Sequence, residues 1–318
     1  MIVDPDPAAI AESKVFTEEL VRLLADDPPV YAVPPELSRK ARREGRSILP
    51  PPVFLPQARD LTIPTRSGEM RLRVLAPEQE APGVYLHLHG GGWVFGRCDE
   101  QDERLWALVE GTGLCAVSVD YRLAPEHPFP AAPDDCEDAA LWLLERGLRE
   151  LGAPDRIAIG GESAGAHLSV LTLLRLRDRH GITGAFRAAN LVYGAYDLSM
   201  TPSARNFRDR PGFLTTEEMM WFGASFIGER AESELRDPEI SPLYADLRDL
   251  PPALFTVGEH DPLLDDSLFM SARWQAAGNE AVLHIWPEST HGFTAFPIAL
   301  ARAANARVYE FLRTTVID

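Results

Sequence analysis

Residues 156 to 166 read Arg156-Ile157-Ala158-Ile159-Gly160-Gly161-Glu162-Ser163-Ala164-Gly165-Ala166, and this stretch decides the fold. A short apolar run meets two glycines, then a serine among small residues, then a long segment of good helix formers. That order is strand, sharp turn, helix. Gly161 and Gly165 flank Ser163 at the spacing of a nucleophile elbow, a strained turn that lifts a serine hydroxyl above the end of a sheet. Ser163 is the candidate nucleophile. The five-residue pattern alone would arise by chance in roughly one chain of this length in ten, so its surroundings must carry the argument.

Outward from the elbow the chain alternates. Short strands are expected at Leu61 to Thr65, Arg71 to Leu75 and Gly83 to His89, the first two joined by a turn at Arg66 to Gly68. A helix near Glu103 to Glu110 leads to a strand at Cys115 to Asp120, and a helix near Asp134 to Leu151 leads to the elbow strand. The elbow opens a helix from Ala164 to about Arg179. Beyond it come strands at Ala188 to Tyr193, Ala253 to Val257 and Ala281 to Trp286, with helices near Leu263 to Ala277 and Pro297 to Leu312. This rhythm predicts an α/β fold whose sheet is mostly parallel, covered on both faces, and functional at the carboxyl ends of its strands.

Two segments break the rhythm. Residues 1–56 are punctuated by prolines, including Pro28, Pro29, Pro34, Pro35 and the run Pro50 to Pro52, around two amphipathic helices near Ala8 to Ala25 and Pro35 to Gly45. Neither helix can fold alone, so this segment is read as a packing arm or N-terminal cap on the catalytic domain, residues 57–318. The second break, about residues 195–250, has no strand pattern, only a polar loop through Arg205 to Arg210 and an apolar helix from Leu214 to about Ile227. Inserted after a sheet strand, it is read as the other half of the cap.

At 318 residues the chain can bury a large core. Its net charge is −17, with basic residues scattered, which argues against a nucleic-acid surface and against an anionic membrane. Cys98, Cys115 and Cys136 make no disulfide framework or zinc pattern, and residues 1–25 lack a signal peptide's basic start and apolar run. No apolar run is long enough to span a membrane. A cytoplasmic enzyme is the default expectation, with a homodimer as an alternative to the monomer.

His89 is followed by Gly90, Gly91, Gly92 and Trp93 at the end of a strand, on the edge where Ser163 should also emerge. Glycines there can turn backbone N–H groups toward one point, as a developing oxyanion needs. A phosphate loop would need a different glycine spacing and a following Lys-Ser/Thr. A serine also needs a base, and the base an acid, in the chain order Ser, acid, His. His291 lies in a loop after the last strand. Among the other downstream histidines, His167 sits on the helix past the elbow, His180 ends that helix and His284 is inside a strand. Asp261, just past a strand, is the candidate acid; Glu259, Asp265 and Asp266 compete with it, the last two expected in a helix's first turn. Glu162 should bond to nearby loops, and the proline-stiffened loop around His127 reads as a brace. His87 and His89 share a strand face but find no third ligand by spacing, so no metal is expected.

Together these motifs resemble the hormone-sensitive lipase family of α/β-hydrolases, especially its bacterial carboxylesterases. The matching features are His89 to Trp93, the loop from Asp120 to Ala132, Gly161-Glu162-Ser163-Ala164-Gly165, Asp261-Pro262-Leu263 and His291-Gly292-Phe293. The resemblance implies the α/β-hydrolase fold with a helical cap, a triad of Ser163, Asp261 and His291, and an oxyanion hole made by the amides of Gly91, Gly92 and Ala164. It implies a serine carboxylesterase acting on small hydrophobic esters of short to medium acyl chain, without a cofactor. Trp93, Glu162, Trp221 and Phe222 are the candidate pocket residues. A lactonase, amidase or acyltransferase would use the same triad. A non-catalytic ligand receptor of this fold is the rival, and the intact His291 favours the enzyme. The sequence departs from the commoner pattern at Glu162, where aspartate is more usual, and at Ala166-His167, where Gly-Asn is.

Overall fold

The computed structural model describes residues 2–25, 27–47, 51–207, 214–228, 230–231 and 233–318. Pro50 and residues 208–210 of the polar loop lie outside that set. The elements in order are α1 (Pro7–Leu24), α2 (Pro35–Arg43), β1 (Arg59–Thr65), β2 (Gly68–Leu75), β3 (Val84–Leu88), α3 (Asp102–Thr112), β4 (Cys115–Val119) and α4 (Ala131–Trp142). A π-helical turn, Leu143–Gly147, joins α4 to α5 (Leu148–Leu151). Then follow β5 (Ile157–Glu162), α6 (Ala164–His180), β6 (Phe186–Val192), α7 (Pro202–Arg205), α8 (Thr216–Ile227), β7 (Ala253–His260), α9 (Leu264–Ala276), β8 (Ala281–Thr290) and α10 (Ala299–Leu312).

The strands form one sheet in the order β1-β2-β4-β3-β5-β6-β7-β8. The hairpin β1–β2 and the pair β2–β4 are antiparallel, and all remaining pairs are parallel. Every side chain of β3, β4 and β5 is buried, as expected where helices cover both faces. Strand alternation then sorts side chains between two cores. Val84, Leu86, Leu88, Ile157 and Ile159 join the α4, α6 and α9 side, while Tyr85, Ala116 and Ala158 join the side packed by α3 and α10. Truncating a central residue such as Leu86, fully buried, to alanine should cost about 2–5 kcal/mol.

The N-terminal segment divides in two. Helix α1, capped by the Asp6 carboxylate accepting from the Ala8 N–H at 2.9 Å, packs against β8 and α10, with Phe16 on Phe296 and Leu20 buried beside Ile298. Helix α2 buries no residue fully and is tied down by arginines instead. None of the described helices is long and apolar enough to cross a membrane.

Candidate active site

The turn after β5 is strained where the sequence said it would be. Ser163 sits at φ 55°, ψ −117°, a region L side chains rarely adopt, and its amide donates to the Val192 carbonyl at 2.9 Å. The two flanking glycines have one shared cause: a Cβ on either Gly161 or Gly165 would collide with the carbonyl of Leu88 on the neighbouring strand β3. Only bare backbone allows β5, the turn and α6 to press this close to β3.

His291 directly follows β8, and its Nε2 accepts the Ser163 hydroxyl at 3.1 Å. Its Nδ1–H donates to Asp261 Oδ2 at 2.9 Å and Oδ1 at 3.1 Å. Asp261 is buried and also accepts from the Leu263 amide at 2.8 Å, which fixes its carboxylate. The strand before it is longer than its apolar run suggests: β7 continues past Val257 through a register shift between Gly258 and His260, delivering Asp261 immediately beyond it. The competing acids are engaged elsewhere. Glu259 accepts the Glu288 amide, and Asp265 the Ser203 amide. Asp266 accepts from the amides of Tyr196 and Asp197 and the Thr201 hydroxyl, although burial pushes its carboxyl up to about 7.

The glycine loop lies on the same edge. Gly91 and Gly92 have φ of 115° and 60°, and among the described residues no acceptor meets their amides or that of Ala164. Gly91 and Gly92 line the same cleft as Ser163, and Ala164 directly follows the serine in the chain. The loop is held by its ends. His89 stacks on Tyr121 with ring centroids 4.1 Å apart, and Tyr121 donates to the His89 carbonyl at 2.7 Å. At the other end the Trp93 indole, 5% exposed, stacks on Phe226 of α8 and donates to His167 Nδ1.

Above these groups lies an open cleft of about 1930 Å³, lined on one side by the N-terminal segment, including Tyr31, Leu37 and Arg39, and on the other by α8, including Met219 and Phe222. The Phe222 ring covers Gly92 so closely that a Cβ there would collide with it. Trp93 contributes to the wall despite its buried ring. Trp221 does not line the cleft: its ring packs against Phe95 and Phe222.

Glu162 does not bond to nearby loops as expected, because its side chain points to the face of the sheet packed by α3 and not outward from the turn. Its carboxylate, buried, bonds to His87 Nε2 at 3.1 Å and to Arg104 of α3. Strand parity explains the meeting, since Tyr85, His87 and Glu162 all point to the face packed by α3. His87 accepts from the Ser118 hydroxyl at 2.9 Å through Nδ1, and burial holds its pKa well below the usual value, so it is neutral. His180 pairs with Glu137, and burial lowers His167 to about 4. Among the described residues no group of three or more His, Cys, Asp or Glu could hold a metal.

Known proteins share this architecture. Residues 85–295 match the family described as alpha/beta hydrolase fold. The carboxylesterase NlhH of Mycobacterium tuberculosis is 32% identical over 91% of this chain and 92% of its own. An ethyl acetate hydrolase of Pseudomonas putida is 30% identical over 92% of each chain. The solved structure of a hyperthermophilic esterase from the archaeon Pyrobaculum calidifontis superposes with a TM-score of 0.85 at 29% identity, covering 100% of both chains.

Proposed function

The chain belongs to the α/β-hydrolase fold family and is a serine carboxylesterase of the hormone-sensitive lipase type, and from that premise we propose that Ser163, His291 and Asp261 carry the reaction. His291 takes the Ser163 proton as the serine oxygen attacks an ester carbonyl, and Asp261 holds the imidazole's tautomer and balances the imidazolium charge. The amides of Gly91, Gly92 and Ala164 receive the oxyanion. Collapse expels the alcohol with the proton from His291; water, activated by the same base, then hydrolyses the acyl-enzyme.

The observation that supports this most is the unbroken chain from the Ser163 hydroxyl through His291 to Asp261, together with three amides that meet no acceptor among the described residues. Helix α2 and the Tyr31 turn before it, together with α8, act as a cap, since Tyr31, Leu37, Met219 and Phe222 give the cleft an apolar wall, whereas α1 packs on β8 and α10. Such a wall favours small hydrophobic esters of short to medium acyl chain. Three free, buried cysteines fit a cytoplasmic enzyme.

The test is a panel of p-nitrophenyl esters from acetate to palmitate, with lactones and amides beside them. Highest kcat/KM between acetate and octanoate is expected. A preference for palmitate, or for amides over esters, contradicts the substrate class.

A further inference from the structure

We propose that Arg104 is a positioning residue for ester hydrolysis: from α3 it holds and neutralises the Glu162 carboxylate next to the serine turn, and it stands beside the Tyr193 hydroxyl whose ring walls His291. The inference rests on the roles given above to Ser163 and His291.

Glu162 is the residue immediately before Ser163, so a force on its side chain acts on the strained turn directly. Its carboxylate is inside the protein, and the neutral His87 cannot balance its charge. Among the described residues, Arg104 is the cation that does. The second arm reaches the base. Burial raises the Tyr193 hydroxyl, and the Arg104 charge beside it pulls the other way. That hydroxyl bonds to Thr294 Oγ1 at 2.7 Å, and the Tyr193 ring meets the His291 ring edge to face, centroids 4.7 Å apart. Arg104 and Tyr193 both line the cleft with Ser163 and His291.

The charge matters because of what forms nearby. Attack by Ser163 places negative charge on the substrate oxygen at the amides of Gly91, Gly92 and Ala164, the last only two residues beyond Glu162. A bare carboxylate so close, where water screens poorly, would oppose that charge. Paired with Arg104, it does not. The pair also accounts for a glutamate here: the carboxylate spans from His87 on β3 to Arg104 on α3.

A ladder of substitutions tests this. Arg104→Lys keeps the charge, Arg104→Gln keeps a hydrogen bond without charge, Arg104→Met keeps neither, and Arg104→Gln/Glu162→Gln removes both charges. Acylation by p-nitrophenyl butyrate is followed per active site, with sites counted by a fluorophosphonate and folding followed by thermal melting. The Gln and Met variants should lose at least about ten-fold in kcat per site with KM within about two-fold, and the lysine variant should keep most activity. The double variant should recover at least about three-fold over Arg104→Gln, having no charge left to compensate. A purely structural arginine would lower the melting temperature and the count of sites, leaving the per-site rate unchanged. That result, or a double variant no faster than Arg104→Gln, overturns the proposal; should Arg104→Met not fold, the Gln pair decides. Failure of the fluorophosphonate to label Ser163 in the unaltered protein marks the triad assignment as the error and overturns both.

Discussion

Trp93 Nε1 donates to Nδ1 of His167 at 3.1 Å, tying the end of the glycine loop to the first turn of the helix that the serine opens. The other ring nitrogen of His167 donates to the Ile240 carbonyl at 2.8 Å, and Phe226 of α8 packs against both the indole and the imidazole. The glycine loop, the serine helix and the inserted segment thus meet at one fully buried ring. Where the commoner family pattern has asparagine, this chain has a longer side chain that reaches the indole.

His167→Leu would strand a buried indole N–H and a carbonyl. We expect a loss of about 2–4 kcal/mol in urea unfolding and a drop in kcat as the loop shifts. Unchanged stability and rate would show that the ring only fills space.

Acid should destabilise the fold well above the carboxylate range. Burial keeps His87, His89 and His167 neutral, with His89 and His167 lowered to about 4 and His87 lowered strongly too. In the unfolded chain each titrates near 6.5, so between roughly pH 6.5 and 4 the unfolded state holds more protons and stability falls as pH falls. Asp266, pushed up to about 7, already holds its proton in the folded state across this window while the unfolded carboxyl is still ionised, and so offsets about one of the three. The net of two protons is worth roughly 3 kcal/mol per pH unit midway through the window. The urea midpoint at pH 5 should therefore lie clearly below that at pH 7; an equal or higher midpoint contradicts the assignment.

The features that were legible in sequence are those fixed by chain order and local sterics. Ser163 between Gly161 and Gly165, Asp261 after one strand and His291 after the next could be ordered without coordinates, because adjacent parallel strands bring their carboxyl ends together. The extension of β7 to His260 was not legible, since Gly258 to His260 carry no apolar signal and the register shift comes from pairing with β8. Nor was the roll of α8, which turns Phe222 onto Gly92 and Trp221 onto Phe95: a helix with Met219, Met220, Trp221, Phe222, Phe226 and Ile227 spread around it does not announce which face it buries. The partners of Glu162 were hidden differently. Parity within β3 and β5 puts His87 and Glu162 on one face, but Arg104 arrives from a helix whose rotation only packing decides.

Arg39 is the latch of α2. Its Nε donates to the Val94 carbonyl at 2.8 Å, Nη2 to the Ala124 carbonyl at 2.8 Å, and the guanidinium grips Glu126 at 2.7 and 2.9 Å. Because the Val94 amide in turn donates to Gly91, the arginine supports the glycine loop from the cap side. Arg39→Ala should reduce kcat/KM about ten-fold, equivalent to about 1.4 kcal/mol, mostly through KM, while leaving the melting temperature nearly unchanged. An effect on stability without one on KM would assign Arg39 to the scaffold.

The central claim is that Ser163 forms the acyl-enzyme, and peptide mass mapping after fluorophosphonate treatment measures it most directly. The adduct should appear on one peptide, at Ser163, in step with loss of esterase activity, and Ser163→Ala should show neither adduct nor p-nitrophenyl butyrate hydrolysis while His291 and Asp261 remain in place. An adduct on another residue, or hydrolysis surviving in Ser163→Ala at the unaltered rate, would contradict the account.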